Sequence, residues 1–441
     1  MSIGKYRYPA PKGNGKPVII DGLRTPFVKS FGVFEDCDTL ELYSRVIDGL
    51  LRKISLDPEH LDEVIAGAVI PQTKNPNVAR DSILNLGLPK HVHGYTVNRA
   101  CTSSLQTISD ATKTIAYGHP NIILAGGVEC LSDVPIVYSR EARKMLFKLN
   151  KAKTTGARIS ILTSKPAKNW LPQKPQLAEP KTGLTMGQHA EMMAQKNEIS
   201  REEQDVFAAA SHAKASAAQE AGILSEEIIP IWPSPGYTDC ITADNIIRAD
   251  STAEALAKLR PAFDKKYGTL TAGNSSPLTD GASVTLIADE QRALAAGLKP
   301  RAEIVDMDFV AIDPSDQLLI GPAVTIPRIL HRNGLKLEDI GRFEIHEAFA
   351  AQVLSCIKSM ADDKFCESYF GSTKAFGEIP EDILNVNGGA IAIGHPFGAT
   401  GSRLVNSMVN ELHRSGKELG VIAICAAGGM AGSMIIRALS K

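Results

Sequence analysis

Four side chains have types and settings suited to covalent chemistry at sulfur. Cys101 lies in Val97-Asn98-Arg99-Ala100-Cys101-Thr102-Ser103-Ser104, and helical spacing begins just after it. A thiol at a helix N-terminus feels the positive end of the helix dipole, which favours thiolate. Its small neighbours leave room for a substrate. His395 sits among five glycines in the stretch Asn387 to Gly401, where tight turns and close backbone approach are allowed. An imidazole can take a proton from a thiol and pair with the sulfur. Cys425 ends an apolar run and is followed by Ala426-Ala427-Gly428-Gly429, whose exposed N–H groups suit an oxyanion. His346 lies in Glu344-Ile345-His346-Glu347-Ala348-Phe349, at a strand-to-helix turn. Taken singly, each also suits a buried structural role. Together they outline two thiols and two imidazoles at element boundaries, where sites are built.

The elements that must carry them read as an alternation of strands and helices. Pro17 to Asp21 is a β-branched strand, and Thr39 to Leu51 repeats Leu40, Tyr43, Val46, Ile47 and Leu50 at helical spacing. Val64 to Ile70 is a buried strand, and Ser103 to Tyr117 is a helix stopping at Gly118. Ile122 to Ala125 is a second buried strand. The rhythm returns with strands at Val284 to Ala288 and Ala302 to Met307, a helix Ser402 to Arg414 ending at Gly416, and a strand Val421 to Ile424. Cys101, helix, Gly118, strand, Gly126-Gly127 is echoed by Gly398, helix, Gly416, strand, Gly428-Gly429. That repetition predicts two similar α/β halves.

Ser139 to about Ala262 breaks the pattern. Nine Lys or Arg and one Glu fall between Ser139 and Lys168, then Pro166, Pro172, Pro175 and Pro180. Ser200-Arg201-Glu202-Glu203 is a capping box for a later helix. This stretch reads as an insertion over the sheet.

Composition narrows the partners. The chain has 441 residues, 44% hydrophobic and 22% charged; Lys+Arg 48 against Asp+Glu 49 gives a net charge of −1. That balance argues against a nucleic-acid footprint. No apolar run approaches the ~20 residues of a membrane span, and Met1 to Lys16 lacks a signal-peptide core. Seven Cys with no Cys-x-x-Cys pair fit a reducing compartment rather than a disulfide framework or zinc site.

The chain resembles the thiolases over nearly its whole length. Gly-His-Pro-x-Gly-x-Thr-Gly at 394–401, Cys-Ala-Ala-Gly-Gly at 425–429, Ala272-Gly273-Asn274-Ser275-Ser276 and Asp280-Gly281-Ala282 carry the likeness. Within the family it is most similar to β-subunits of trifunctional fatty-acid oxidation complexes, on His-Glu-Ala-Phe at 346–349, the Lys-rich insertion, and Ala361 to Pro380. It departs from many thiolases in carrying His346 for Asn, Ser104 for Gly, and Ala427 for Gly.

The resemblance implies an α/β, layered αβαβα fold from two similar halves plus an inserted, mainly helical loop domain. The halves are 1–138 with 263–290 and 291–441, and the loop domain is 139–262. It implies a 3-ketoacyl-CoA thiolase (an acetyl-CoA C-acyltransferase of fatty acid β-oxidation). Cys101 would be the nucleophile that carries the acyl group, His395 the general base, Cys425 the general acid and base, and His346 an oxyanion donor. The backbone N–H groups of Cys101 and Ala427 would hold the tetrahedral oxygen, with Met186, Ala272 and Ser276 near the pantetheine. No metal or redox cofactor is implied; coenzyme A is a substrate. Implied partners are a second copy or a tetramer and a hydratase/dehydrogenase α-subunit, in the cytoplasm. The basic insertion would meet the 3′-phospho-ADP, a partner subunit or an anionic membrane surface. A biosynthetic acetoacetyl-CoA thiolase, a ketoacyl-synthase-type condensing enzyme, a cysteine hydrolase and a non-catalytic lipid-binding subunit are the competing readings.

Overall fold

The computed structural model describes residues 14–119, 121–173, 178–371 and 374–440. Residues 1–13, which hold most of the amino-terminal stretch judged above, and Pro175 lie outside them.

Nine strands pair in the order His93–Val97, Glu63–Gly67, Ile122–Glu129, Thr279–Asp289, Pro17–Arg24, Ala302–Ala311, Met430–Ala438, Leu419–Ala426, Arg342–Ile345. The short strand Val28–Lys29 pairs off this path with Thr279–Asp289. The order contains one unit twice. Glu63–Gly67 runs parallel to Ile122–Glu129, which is antiparallel to Thr279–Asp289, which is antiparallel to Pro17–Arg24. In the second half, Arg342–Ile345 runs parallel to Leu419–Ala426, which is antiparallel to Met430–Ala438, which is antiparallel to Ala302–Ala311. The halves meet along a short antiparallel contact, Val18 to Glu303 and Ile19 to Ala302.

Side chains alternate across a strand, and that alternation builds the layers. Val18, Ile20, Leu124 and Val128 face an outer core with Leu42, Val46 and Leu50 of helix Thr39–Lys53. Ile19, Ile123 and Ala125 face a central core instead. Helices Ser103–Ala116 and Thr400–Ser415 supply that centre with Leu105, Ile108, Ile115, Leu404, Met408 and Leu412, and the second half adds Ile422, Ile424 and Met434. Each such fully buried side chain contributes about 1.5–3 kcal/mol. Helices Gly321–Arg332 and Ala350–Met360 cover the second half's outer face. The result is helix, sheet, paired central helices, sheet, helix.

Within 139–262, helices Arg140–Lys151 and Thr155–Thr163 stand out toward solvent, and Met186–Lys196 and Arg201–Glu220 pack on the second half. Ser200 and Glu203 form the expected capping box, and Thr185 with Gln188 forms another. The stretch near 227–244 is anchored to the first strand through fully buried Arg24, which reaches Glu227 at 2.6 Å and Asp244 at 2.6 and 2.8 Å.

Candidate active site

The two central helices start without side-chain caps, at Thr102 and Ala399. Their first-turn N–H groups would otherwise be capped by a side chain; here the helix starts meet each other. Ser402 N–H donates to Ser104 Oγ at 3.0 Å. A Cβ on Gly401 would come within 2.5 Å of Leu105 N, and one on Gly398 within 2.5 Å of the Gly67 and Val128 carbonyls. Only glycine permits this approach, and it brings the loop of His395 onto the loop of Cys101. Ser104, one of the departures noted above, supplies the acceptor at this contact.

Cys101 follows a tight turn in which Ala100 has φ +47°. Arg99 N–H donates to Ser103 Oγ at 2.8 Å, Ser103 Oγ–H to the Ala100 carbonyl at 2.6 Å, and Thr102 Oγ1–H to the Arg99 carbonyl at 2.7 Å. A left-handed conformation costs a non-glycine residue about 1–3 kcal/mol, and this bond set holds it. The N–H groups of Ala427 and of Cys101 itself act on the Cys101 sulfur to lower its thiol. Burial pushes its thiol up to about 11, overriding these donors, and Glu129 adds to the rise. The thiolate expected from the helix dipole is therefore not the resting state; burial outweighs the dipole.

His395 is held at two points. Its N–H donates to Thr279 Oγ1 at 2.8 Å, and its Nδ1 lies 2.6 Å from Thr400 Oγ1. The single hydroxyl proton of Thr400 goes to the Pro396 carbonyl at 3.0 Å. Thr400 must then accept from Nδ1–H, which leaves the Nε2 lone pair free. Nε2 is buried and without a protein partner, as a waiting base requires. Burial lowers this imidazole to about 3, with Arg403 adding to the effect. His346 stacks on it, centroids 4.0 Å apart at 48°, and both His346 nitrogens are buried without partners. Burial first, then His395 and Arg403, hold His346 well below the usual imidazole range. Both rings are neutral at pH 7, so they tolerate contact.

Cys425 closes the strand Leu419–Ala426. Burial raises its thiol well above 9, with Cys101 and Cys356 adding to the shift. His346 N–H donates to the Ala423 carbonyl at 2.9 Å, which ties the His346 turn to the same strand.

Of the residues assigned to the pantetheine, Ser276 N–H donates to the Ala348 carbonyl at 3.0 Å. Met186 packs on the cluster that contains Cys425, Ala348 and Phe349. Ala272 sits in an exposed turn, and the residues after it join the same region through Ala350 N–H on the Asn274 carbonyl at 3.0 Å and a bridge between Ser275 and Phe349.

Several carboxylates around the site escaped the sequence reading. Glu129, buried at the end of its strand, accepts from Val69, Ile70 and Gly398 N–H at 3.0–3.1 Å and so pins the His395 loop to the first half. Burial lifts it to about 7. Glu347 accepts from Ser211 Oγ at 2.7 Å, Asn385 Nδ2 at 2.7 Å and Ile391 N–H at 3.2 Å, and burial raises it as well. A Cβ on Gly389 would strike its carboxyl group at 2.1 Å. Its place directly after His346 was the available signal.

Residues 17–291 match the thiolase N-terminal domain and residues 298–438 the thiolase C-terminal domain. The chain belongs to the thiolase family. It is 45% identical to the bovine mitochondrial trifunctional enzyme subunit beta over 425 residues, 96% of this chain and 88% of that one. It is 44% identical to a probable 3-ketoacyl-CoA thiolase of Caenorhabditis elegans, covering 98% of this chain and 96% of that one. The crystal structure of Bacillus anthracis acetyl-CoA acetyltransferase superposes with TM-score 0.81 at 32% identity, covering 97% of this thiolase and all of that chain. Among the described residues no group of His, Cys, Asp and Glu is arranged to hold a metal ion, and no helix is long and apolar enough to cross a membrane.

Proposed function

We propose that this thiolase is a 3-ketoacyl-CoA thiolase, an acyltransferase of fatty acid β-oxidation, with Cys101 as the acyl carrier. The observation that carries the reading is the convergence of three loops: the Ala427 N–H, two residues beyond Cys425, acts on the Cys101 sulfur, and Gly398 and Gly401 press the loop of His395, whose Nε2 has no partner, onto the loop of Cys101. The names of the 42–45% identical relatives support the substrate class.

Cys101 gives its proton to His395 Nε2 as the sulfur attacks C3 of the substrate. The C3 oxygen becomes an oxyanion held by the N–H groups of Cys101 and Ala427; losing one such donor typically costs ~3–4 kcal/mol. When the carbonyl reforms, C2–C3 breaks and its electrons enter the thioester as an enolate. His395 Nε2–H and His346 hold that oxygen, and Cys425 protonates C2, releasing acetyl-CoA. The Cys425 thiolate, basic because it is buried, takes the proton of an incoming CoA thiol. The CoA sulfur displaces the acyl group, and Cys101 recovers its proton from His395. Charge balance thus gives the CoA proton to Cys425. Coenzyme A is a substrate, and no step calls for a metal or redox group.

Met186 and Ser276 line the pantetheine approach, Ala272 its outer edge, with 139–262 acting as a loop domain between the halves 1–138 with 263–290 and 291–441. Thiolysis of 3-ketohexadecanoyl-CoA and acetoacetyl-CoA, each with and without CoA, tests the reading. CoA-dependent turnover that favours the longer substrate is expected. Turnover of acetoacetyl-CoA alone would favour the biosynthetic alternative, and CoA-independent turnover a hydrolase.

The enzyme is assigned to a homo-oligomer with a hydratase/dehydrogenase α-subunit, supported by relatives named as subunits of a trifunctional enzyme. Seven free thiols support a reducing compartment, the cytoplasm or an organelle matrix, and the mammalian relatives are named as mitochondrial. Helix Arg140–Lys151 carries five Lys or Arg, and beside them Phe147 (68%), Ile159 (56%) and Leu162 (47%) are exposed. A basic face beside apolar side chains suits a partner subunit or an anionic lipid surface. Reversing Lys144, Lys148 and Lys151 to Glu should weaken both assembly and sedimentation with anionic vesicles at unchanged kcat. Unaltered assembly and vesicle binding would reject that role.

A further inference from the structure

We infer that Glu179, contributed by the inserted segment, is a positioning residue for acyl transfer that fixes the oxyanion turn. The inference rests on the assignment of the Ala427 N–H as an oxyanion donor.

The turn after Cys425 is built on two successive glycines. Gly428 and Gly429 both have positive φ, +80° and +65°. Glycine enters this region at little steric cost, but it also leaves it readily. A donor that must be aimed before the charge develops cannot be left on such a turn without outside support. The support comes from two sides. Glu179 Oε2 accepts the Gly428 N–H at 3.0 Å, and the Ile312 N–H donates to the Gly429 carbonyl at 2.7 Å. Beyond the turn, Met430 is paired with Ala426 across the strands.

The two N–H groups are thereby set apart: Gly428 N–H is engaged by Glu179, which leaves the Ala427 N–H as the one that acts on the Cys101 sulfur. The two groups flank one residue, so the carboxylate that holds the first sets the direction of the second.

Glu179 is itself anchored. It is 8% exposed. Its N–H donates to the Leu184 carbonyl at 2.8 Å, and its carbonyl accepts the Gly183 N–H at 2.8 Å. Ala178 and Thr185 bridge across the same loop, and Thr182 Oγ1 meets His189 Nε2 at 2.8 Å. Thr185 then caps helix Met186–Lys196. The insertion thus reaches the reaction centre through one short, internally bonded loop.

The test uses the full-length enzyme with Glu179→Ala, Glu179→Gln and Glu179→Asp. Glutamine keeps an oxygen acceptor of the same reach; aspartate keeps the charge and withdraws it. Glu179→Ala and Glu179→Asp should lower kcat about 10- to 100-fold, as misplacing a catalytic group by about 1 Å does, with KM little changed. Glu179→Gln should stay within about threefold of the parent. The pH profile of Cys101 alkylation, read by peptide mass against exposed Cys240, should move to higher pH in the Ala and Asp variants only. If Glu179→Ala does not fold, the Asp variant decides. Parental kcat and alkylation profile in the folded Ala or Asp variants would overturn the inference, and loss of kcat in Glu179→Gln equal to that in Glu179→Ala would overturn it too. A parent enzyme that never acylates Cys101 would instead defeat the functional reading on which it rests.

Discussion

Cys101→Ala is expected to lower CoA-dependent cleavage of 3-ketoacyl-CoA by on the order of 10^4-fold or more while leaving the fold intact. Removing a covalent nucleophile strands the other groups of the site, which act as a unit, so its effect approaches that of removing them all. The side chain is small and lies at the edge of the central core, so its truncation should cost little stability. The variant should still bind substrate, because the pantetheine-facing residues and the oxyanion N–H of Ala427 remain. Steady-state thiolysis, with circular dichroism as the folding control, measures this. Cys425→Ala provides the contrast: it should abolish net cleavage yet still accept an acyl group onto Cys101 from a simple acyl-CoA, since no carbon is protonated in that half-reaction and the proton His395 takes from Cys101 stays available for the departing CoA sulfur, a route closed in full cleavage because acetyl-CoA leaves with a proton from Cys425. Equal loss of Cys101 acylation in both variants would contradict the division of labour between the two sulfurs.

The second large effect is on pH. With the Cys101 thiol pushed up to about 11 and His395 down to about 3, the free enzyme holds both the thiol and the imidazole in their neutral forms. Thiolate below its pKa grows tenfold per pH unit, so iodoacetamide alkylation of Cys101 should climb roughly 10^3-fold between pH 7 and pH 10. A preformed thiolate–imidazolium pair would instead show a plateau below pH 7. The neutral pair suits this reaction. Proton transfer is then drawn by the substrate, because the charge leaving sulfur passes to an oxyanion that two N–H groups already await.

The sequence disclosed what depends on side-chain type and local spacing. Leu105, Ile108 and Ile115 marked the helix that became Ser103–Ala116, and Gly416 marked the stop of Thr400–Ser415, where it has φ +67°. The doubled unit was legible because helix, glycine, strand and glycine recur in the same order. Helix Gly321–Arg332 was not, since Pro322 and Pro327 interrupt its pattern; in the fold Pro322 occupies the first turn, where its missing N–H costs nothing. The strand Met430–Ala438 was hidden behind its glycine turn. In the site, the two cysteines and two histidines stood out by type. The groups that aim them did not: Glu129 reaches Gly398 across 269 positions and Glu179 reaches Gly428 across 249. Local pattern carries no information about such bonds. The ionisation of Cys101 was misjudged for a related reason. A helix dipole contributes about 0.3–1 kcal/mol, whereas a rise from 9 to about 11 reflects roughly 3 kcal/mol, and burial is a property of the finished fold.

The most direct test of a shuttling acyl group is to mix the enzyme with 3-ketohexadecanoyl-CoA in the absence of free CoA and to quench within one turnover. The account predicts one acetyl-CoA released per site and a tetradecanoyl adduct on the peptide that contains Cys101, discharged when CoA is added. An adduct on Cys425 or elsewhere, or acetyl-CoA formed without any acylated cysteine, would contradict it.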